Sequence, residues 1–201
     1  MPDTWMTNLT HFIDEHGNLA EDRVGHLARH LARIVESATA RRPRAPFHSA
    51  IQCRRRPGHV SCPGRILIHR TEIPLGVNWE CPWCGDNGHI SGWENTHWDL
   101  RRCREGEDDD VMIGVAISTE HYAALRAGED HPVIDCPAVI AGAIYHDGEI
   151  VLSGNASELD EFQGVIAAEA NRTKDLRRQA LFDEISEGVE AALHEHDDSH
   201  D

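Results

Sequence analysis

Four cysteines stand within one short stretch of this chain, at Cys53, Cys62, Cys81 and Cys84, with the spacing Cys-x8-Cys-x18-Cys-x2-Cys. Thiolates are the preferred ligands of zinc, which takes four of them at tetrahedral corners with Zn–S near ~2.3 Å. A Cys-x2-Cys turn offers two corners from one tight loop. In Cys81-Pro82-Trp83-Cys84-Gly85, Pro82 restrains that turn and Gly85 relieves the backbone where it must reverse. Cys62-Pro63-Gly64 repeats part of the pattern. Without the basic start, apolar centre and small-residue cleavage site of a signal peptide at Met1–Thr10, such a cluster reads as a metal site and not a disulfide frame. The expected ligands are Cys53, Cys62, Cys81 and Cys84 around a structural Zn2+. Four protein ligands leave no open position for water or substrate. His59-x2-Cys62 offers a competing arrangement, with His59 in place of Cys53. Cys53 is favoured, because a turn at Pro57-Gly58 would bring it beside Cys62. Cys103 and Cys136 read as ordinary thiols.

The Cys-Pro-x-Cys-Gly knuckle resembles that of zinc-ribbon proteins, a broad class in transcription, translation and other nucleic-acid machinery. The similarity spans roughly Phe47–Trp98, about a quarter of the chain. The first cysteine pair departs from the usual pattern, with eight intervening residues where about two are common. Cys81–Gly85 followed by Asp86, Gly88, Ile90, Gly92, Trp93 and Trp98-Asp99 also resembles uncharacterised bacterial zinc-ribbon proteins. The resemblance implies short antiparallel strands around the metal and no reaction.

Charge supplies the second chemical signal. The chain carries a formal net charge of −16, yet Ser37–Thr71 has eight arginines and no Asp or Glu. At physiological salt the Debye length is ~8 Å, so a ligand near this patch senses it before the net charge. Arg54, Arg55 and Arg56 sit in the cysteine hairpin, while Arg101 and Arg102 follow a tryptophan-rich stretch. Guanidinium groups grip phosphates bidentately and exposed Trp stacks on unpaired bases. These five arginines are therefore the expected contacts to DNA or RNA. The bland alternative is a solvated face paired with the acidic segments Glu105–Asp110 and Asp183–Asp201.

Other constellations point less far. His26 and His30 are one helical turn apart but lack a His-Glu-x2-His pattern. Asp108-Asp109-Asp110 reads as a charged linker, and His194, His196 and His200 as a polar tail. Neither a Gly-x4-Gly-Lys-Ser/Thr loop nor a Gly-x-Ser-x-Gly elbow is present. No enzyme and no small-molecule substrate are expected.

These residues need elements to hold them. Leu19–Thr39 has helical periodicity through Val24, Leu27, Leu31, Ile34, Val35 and Ala38. Thr7–His16 predicts a shorter helix closed by Gly17, which would give an N-terminal helical pair. Ile51–Arg55 and Ser61–His69 read as strands flanking Pro57-Gly58, with a further strand at His89–Trp93. Val111–Ile117 predicts a buried strand, and Ser118 caps a helix running to Ala127. Ala138–Tyr145 and Glu149–Ser153 flank the hairpin signal Asp147-Gly148. Helices then follow from Ser157 and through Leu176, Leu181, Ile185, Val189 and Leu193.

The expected fold is α+β: an N-terminal helical pair and linker (1–44), a zinc-ribbon module of short antiparallel strands (45–104), a C-terminal small sheet with helices (105–193) and a polar, disordered tail (194–201). No apolar run approaches the ~20 residues of a membrane-spanning helix. The expectation is a cytoplasmic, non-catalytic zinc-ribbon protein that binds nucleic acid through its arginine-rich hairpin. The alternative is a protein-interaction adaptor or homo-oligomer that docks through its acidic C-terminal helices, with zinc purely structural.

Overall fold

The computed structural model describes residues 4–19, 25–40, 45–101, 112–127 and 137–198. The chain divides into two units, Met1–Glu105 and Gly106–Asp201. The first contains β1 (Thr4–Asn8), α1 (Gly25–Thr39), β2 (Phe47–Gln52), β3 (Arg65–Glu72), β4 (Leu75–Glu80) and β5 (Asn87–Ser91), with 3-10 turns at Leu9–Phe12 and Pro57–His59. Alternation builds its centre: Ile66 and Ile68 of β3, Val77 and Trp79 of β4, and Ile90 of β5 all turn inward. The strands run β1-β5-β4-β3-β2, antiparallel except that β1 lies parallel to β5. On this sheet α1 lays its apolar stripe of Leu31, Ile34, Val35 and Ala38, and Trp93 completes the core. Each fully buried side chain of this size contributes about 1.5–3 kcal/mol relative to exposure. Thr39 Oγ1 accepts from Leu100 N–H at 3.0 Å and donates to Val35 O at 2.8 Å, which ties the end of α1 to the segment after β5.

Only the second of the two expected N-terminal helices forms. Thr4–Asn8 is a strand because the edge of β5 offers its unpaired backbone, and Trp5 gains a hydrogen bond to the buried Asp86 (Nε1 to Oδ1, 3.2 Å). Asn8 then caps a single 3-10 turn by accepting from Thr10 N–H at 3.0 Å, and the chain leaves it at Ile13, which bridges to Leu19. A helix this short has little intrinsic stability to set against those contacts. The expected linker residues 41–44 lie outside the described residues.

The second unit holds β6 (Ile113–Ile117), α2 (Thr119–Arg126), α3 (Pro137–Ala141), β7 (Ile144–His146), β8 (Glu149–Gly154), α4 (Ala156–Arg172) and α5 (Leu176–Asp198). Its strands run β7-β8-β6, all antiparallel, with Asp147-Gly148 turning β7 into β8 as expected. Ser118 caps α2 and Asn155 caps α4; each accepts from the backbone N–H three residues on, and that residue's side chain returns the bond. Phe162 and Ile166 of α4 and Phe182, Ile185 and Val189 of α5 are buried with Ile150 and Leu152 of β8. Part of the strand expected from Ala138 is helical, since α3 occupies Pro137–Ala141 before β7 begins. Of the polar tail expected at 194–201, His194–Asp198 form the end of α5, and 199–201 lie outside the described residues. The acidic segment Glu105–Asp110 lies outside the described residues.

Candidate metal centre

Both cysteine pairs sit where strands end. Cys53 follows β2 and Cys62 precedes β3, so the β2–β3 connection is a loop with a cysteine at each foot. Two backbone bonds close that loop, Cys53 N–H to Gly64 O at 2.8 Å and Cys62 N–H to Arg55 O at 2.9 Å. Cys81 and Cys84 occupy the turn between β4 and β5. Cys81 N–H donates to Asp86 O at 2.7 Å and Gly85 N–H to Cys81 O at 2.8 Å. The reversal demands a left-handed residue, and Gly85 supplies it at φ +75°.

The four Sγ atoms lie within 4.8 Å of one another. Cys53 and Cys84 are 3.7 Å apart, as are Cys62 and Cys81. Sulfurs held tetrahedrally around an ion at ~2.3 Å are spaced by about 3.8 Å, so the cluster has the dimensions of a four-thiolate metal cage. A disulfide requires ~2.05 Å, and all four cysteines are free thiols. Three are buried and Cys84 is half-buried. His59 is exposed and is not part of the cluster.

Backbone amides point at the sulfurs in a repeated way. Cys53 Sγ accepts from Arg55 N–H and Cys62 Sγ from Gly64 N–H, both at 3.4 Å. Two of the sulfurs thus accept from the amide two residues on, an arrangement that stabilises thiolate charge. The nearby amides of Cys84 and Trp83 favour the Cys81 thiolate, and that of Asp86 favours the Cys84 thiolate. Burial pushes the Cys53 and Cys81 thiols up from their ordinary value. Burial also works against the Cys84 thiolate, but the Asp86 N–H and the neighbouring thiols hold it below the ordinary value. Four thiols packed this closely could hold a metal ion, which would favour the thiolate form of its ligands.

Gly64 is part of the cage wall. A Cβ there would stand 2.5 Å from Cys81 Sγ and 2.8 Å from Trp83 Cβ, so no larger residue fits without moving a ligand.

Asp86 joins the two halves, a role the sequence reading did not assign. Its buried Oδ1 accepts from Trp5 Nε1, and Arg55 Nε lies 3.8 Å away. Arg55 belongs to the first cysteine loop and Asp86 to the second, so the pair spans the cluster from outside. The local signal was an acidic residue directly after the knuckle glycine.

The arginines expected to bind nucleic acid divide. Arg54, Arg55 and Arg56 are exposed on the first cysteine loop, with Arg54 above the Trp5 ring at 5.4 Å. Arg101 is engaged within the fold: it grips the buried Asp99 bidentately at 2.8 and 2.6 Å and lies 4.6 Å over the Trp93 ring. Against the cost of burial, these bonds hold the Asp99 carboxyl below its usual range. Arg102 lies outside the described residues. Between α1 and the first cysteine loop is a cleft of about 520 Å³, lined by Arg29, His30 and Arg33 on one side and by Arg54, Arg55 and Arg56 on the other. Among the described residues that line it, none is Asp or Glu. Compared with protein-family models, curated proteins and solved structures, the chain matches none.

Proposed function

We propose that this chain is a non-catalytic zinc-ribbon protein, cytoplasmic, whose metal centre holds an arginine-rich loop in shape to bind nucleic acid. A tetrahedral four-sulfur set suits zinc or iron, and a closed cage without an open position suits a structural role. Zinc is the reading here, held by Cys53, Cys62, Cys81 and Cys84. The observation that carries the nucleic-acid reading is the loop between two cluster cysteines, which offers three consecutive exposed arginines. Trp83, at the tip of the other knuckle, is 72% exposed. An indole on a rigid turn is a stacking platform for an unpaired base. Arg101 is left out of the contact set because Asp99 and Trp93 already engage it.

The adaptor reading stands second, since α5 buries Phe182, Ile185 and Val189 within its own unit and presents mainly charge outward.

Titration of a dye-labelled single-stranded oligonucleotide at several salt concentrations tests the proposal. Binding should weaken linearly on a log–log plot by ~0.7 per phosphate engaged, so the double variant Arg54→Gln/Arg56→Gln should flatten the slope by about 1.4. Arg55 is left intact because it also pairs with Asp86. No binding by the zinc-loaded protein at low salt, or an unchanged slope in the variant, overturns the reading.

A further inference from the structure

The cleft between α1 and the first cysteine loop differs from a groove that tracks a phosphate backbone. Its arginines come from two separate elements and line one volume: Arg29 and Arg33 from the helix, Arg54, Arg55 and Arg56 from the loop. The imidazole of His30 registers the field, because burial first and then the charges of Arg54 and Arg33 hold its pKa down at about 4.

An internal phosphodiester brings one negative charge and two unbridged oxygens. A phosphomonoester brings nearly two charges and three such oxygens at neutral pH. Guanidinium forks pair with these oxygens two at a time, so convergent arginines gain most from the ligand with more oxygens and more charge. The volume, about 520 Å³, accommodates a terminal nucleotide.

We propose that this cleft takes a phosphomonoester at the end of a nucleic-acid strand, gripped between arginines of α1 and arginines of the cysteine loop. The proposal rests on the nucleic-acid reading above and names its ligand. The same chemistry is carried by a free nucleotide, and the experiment separates the two sources.

Zinc-loaded full-length protein is titrated with a short single-stranded oligonucleotide whose free end, 5′ in one series and 3′ in another, carries a phosphate or a hydroxyl. The expected result is binding about tenfold tighter for the phosphorylated end in one of the series, a preference that Arg33→Gln removes while affinity for the hydroxyl end changes less than twofold. Equal binding of phosphate and hydroxyl ends in both series overturns the inference and leaves the nucleic-acid reading standing. If no oligonucleotide binds, that reading fails, and adenosine monophosphate is then titrated against adenosine by calorimetry. Binding of the monophosphate alone keeps the phosphomonoester cleft, with a free nucleotide as its source; binding of neither overturns it.

Discussion

His30 lies buried, its ring edge-on to Trp79 at 6.3 Å, with an Nε2 that has no hydrogen-bond partner among the described residues. Burial disfavours its charged form, and Arg54 and Arg33 add repulsion, so its pKa falls from 6.5 to about 4. Between those values the unfolded chain binds a proton that the folded chain refuses. The stability linked to His30 is therefore intact above pH 6.5 and is lost as the pH falls towards 4, by about 2 kcal/mol at pH 5. Urea unfolding of the zinc-loaded protein at pH 7 and pH 5 should show this loss, and His30→Gln should show a loss smaller by about that amount. Thiolate protonation contributes equally to both proteins and cancels in the comparison. An identical pH dependence would mean that the imidazole is not held neutral. The residue scale also separates arginines that look equivalent in the sequence. Arg101 stands two residues from the acid it grips, yet Asp99-Leu100-Arg101-Arg102 gives no sign that this acid becomes buried or which arginine it engages. Asp86 likewise enters the sequence pattern only as the residue after the knuckle, and only folding brings Trp5 and Arg55 to it.

At the scale of elements, the candidate metal site consists of two strand-to-strand turns facing each other. The second was legible in full, because a Cys-Pro-x-Cys-Gly turn is specified locally: Pro82 restrains it and Gly85 accepts the positive φ. The first was legible in outline, with Cys53 brought beside Cys62 by a loop that contains Pro57-Gly58. What could not be read was Gly64, whose hydrogen side chain matters because the opposite turn approaches it. Gly64→Ala places a methyl group against Cys81 Sγ and Trp83 Cβ. Competition with a chromophoric chelator should show zinc affinity at least about tenfold lower, since outer contacts that orient ligands are worth 10–100-fold in affinity. Unchanged affinity would show that the turns part without cost to the site. Helices α1, α2 and α4 followed the expected periodicity and Ser118 caps α2 as expected, whereas α4 is capped by Asn155 ahead of the expected Ser157 and Leu176 of α5 is exposed. The segment before α1 did not form the expected helix, because a short amphipathic stretch has no strong preference of its own, and the open edge of β5 decided for a strand.

Across the whole molecule, the first unit contains the cysteine cluster and all five tryptophans, Trp5, Trp79, Trp83, Trp93 and Trp98. The second unit contains the long helices α4 and α5 and has its own apolar core. Structural zinc contributes ~10–16 kcal/mol to folding in zinc-finger peptides, a sum comparable to the stability of an entire domain. Removal of the metal with a strong chelator should therefore shift tryptophan emission to the red as the first unit unfolds, while far-ultraviolet circular dichroism retains most of the helical signal of the second. Readdition of zinc should reverse the shift. Unaltered emission after complete metal loss, measured by elemental analysis, would show that the cysteine cluster does not hold that unit together. The sequence by itself determined the four cysteines, the α+β alternation, most helix limits and the local excess of arginine, because each depends on neighbours a few residues away. Tertiary structure alone decided that N-terminal residues join the sheet, that Asp86 and Gly64 belong to the centre, and that arginines of a helix and of a distant loop share one cleft. Those facts depend on which surfaces meet when strands pair and a helix covers them, and spacing along the chain carries no record of that distance.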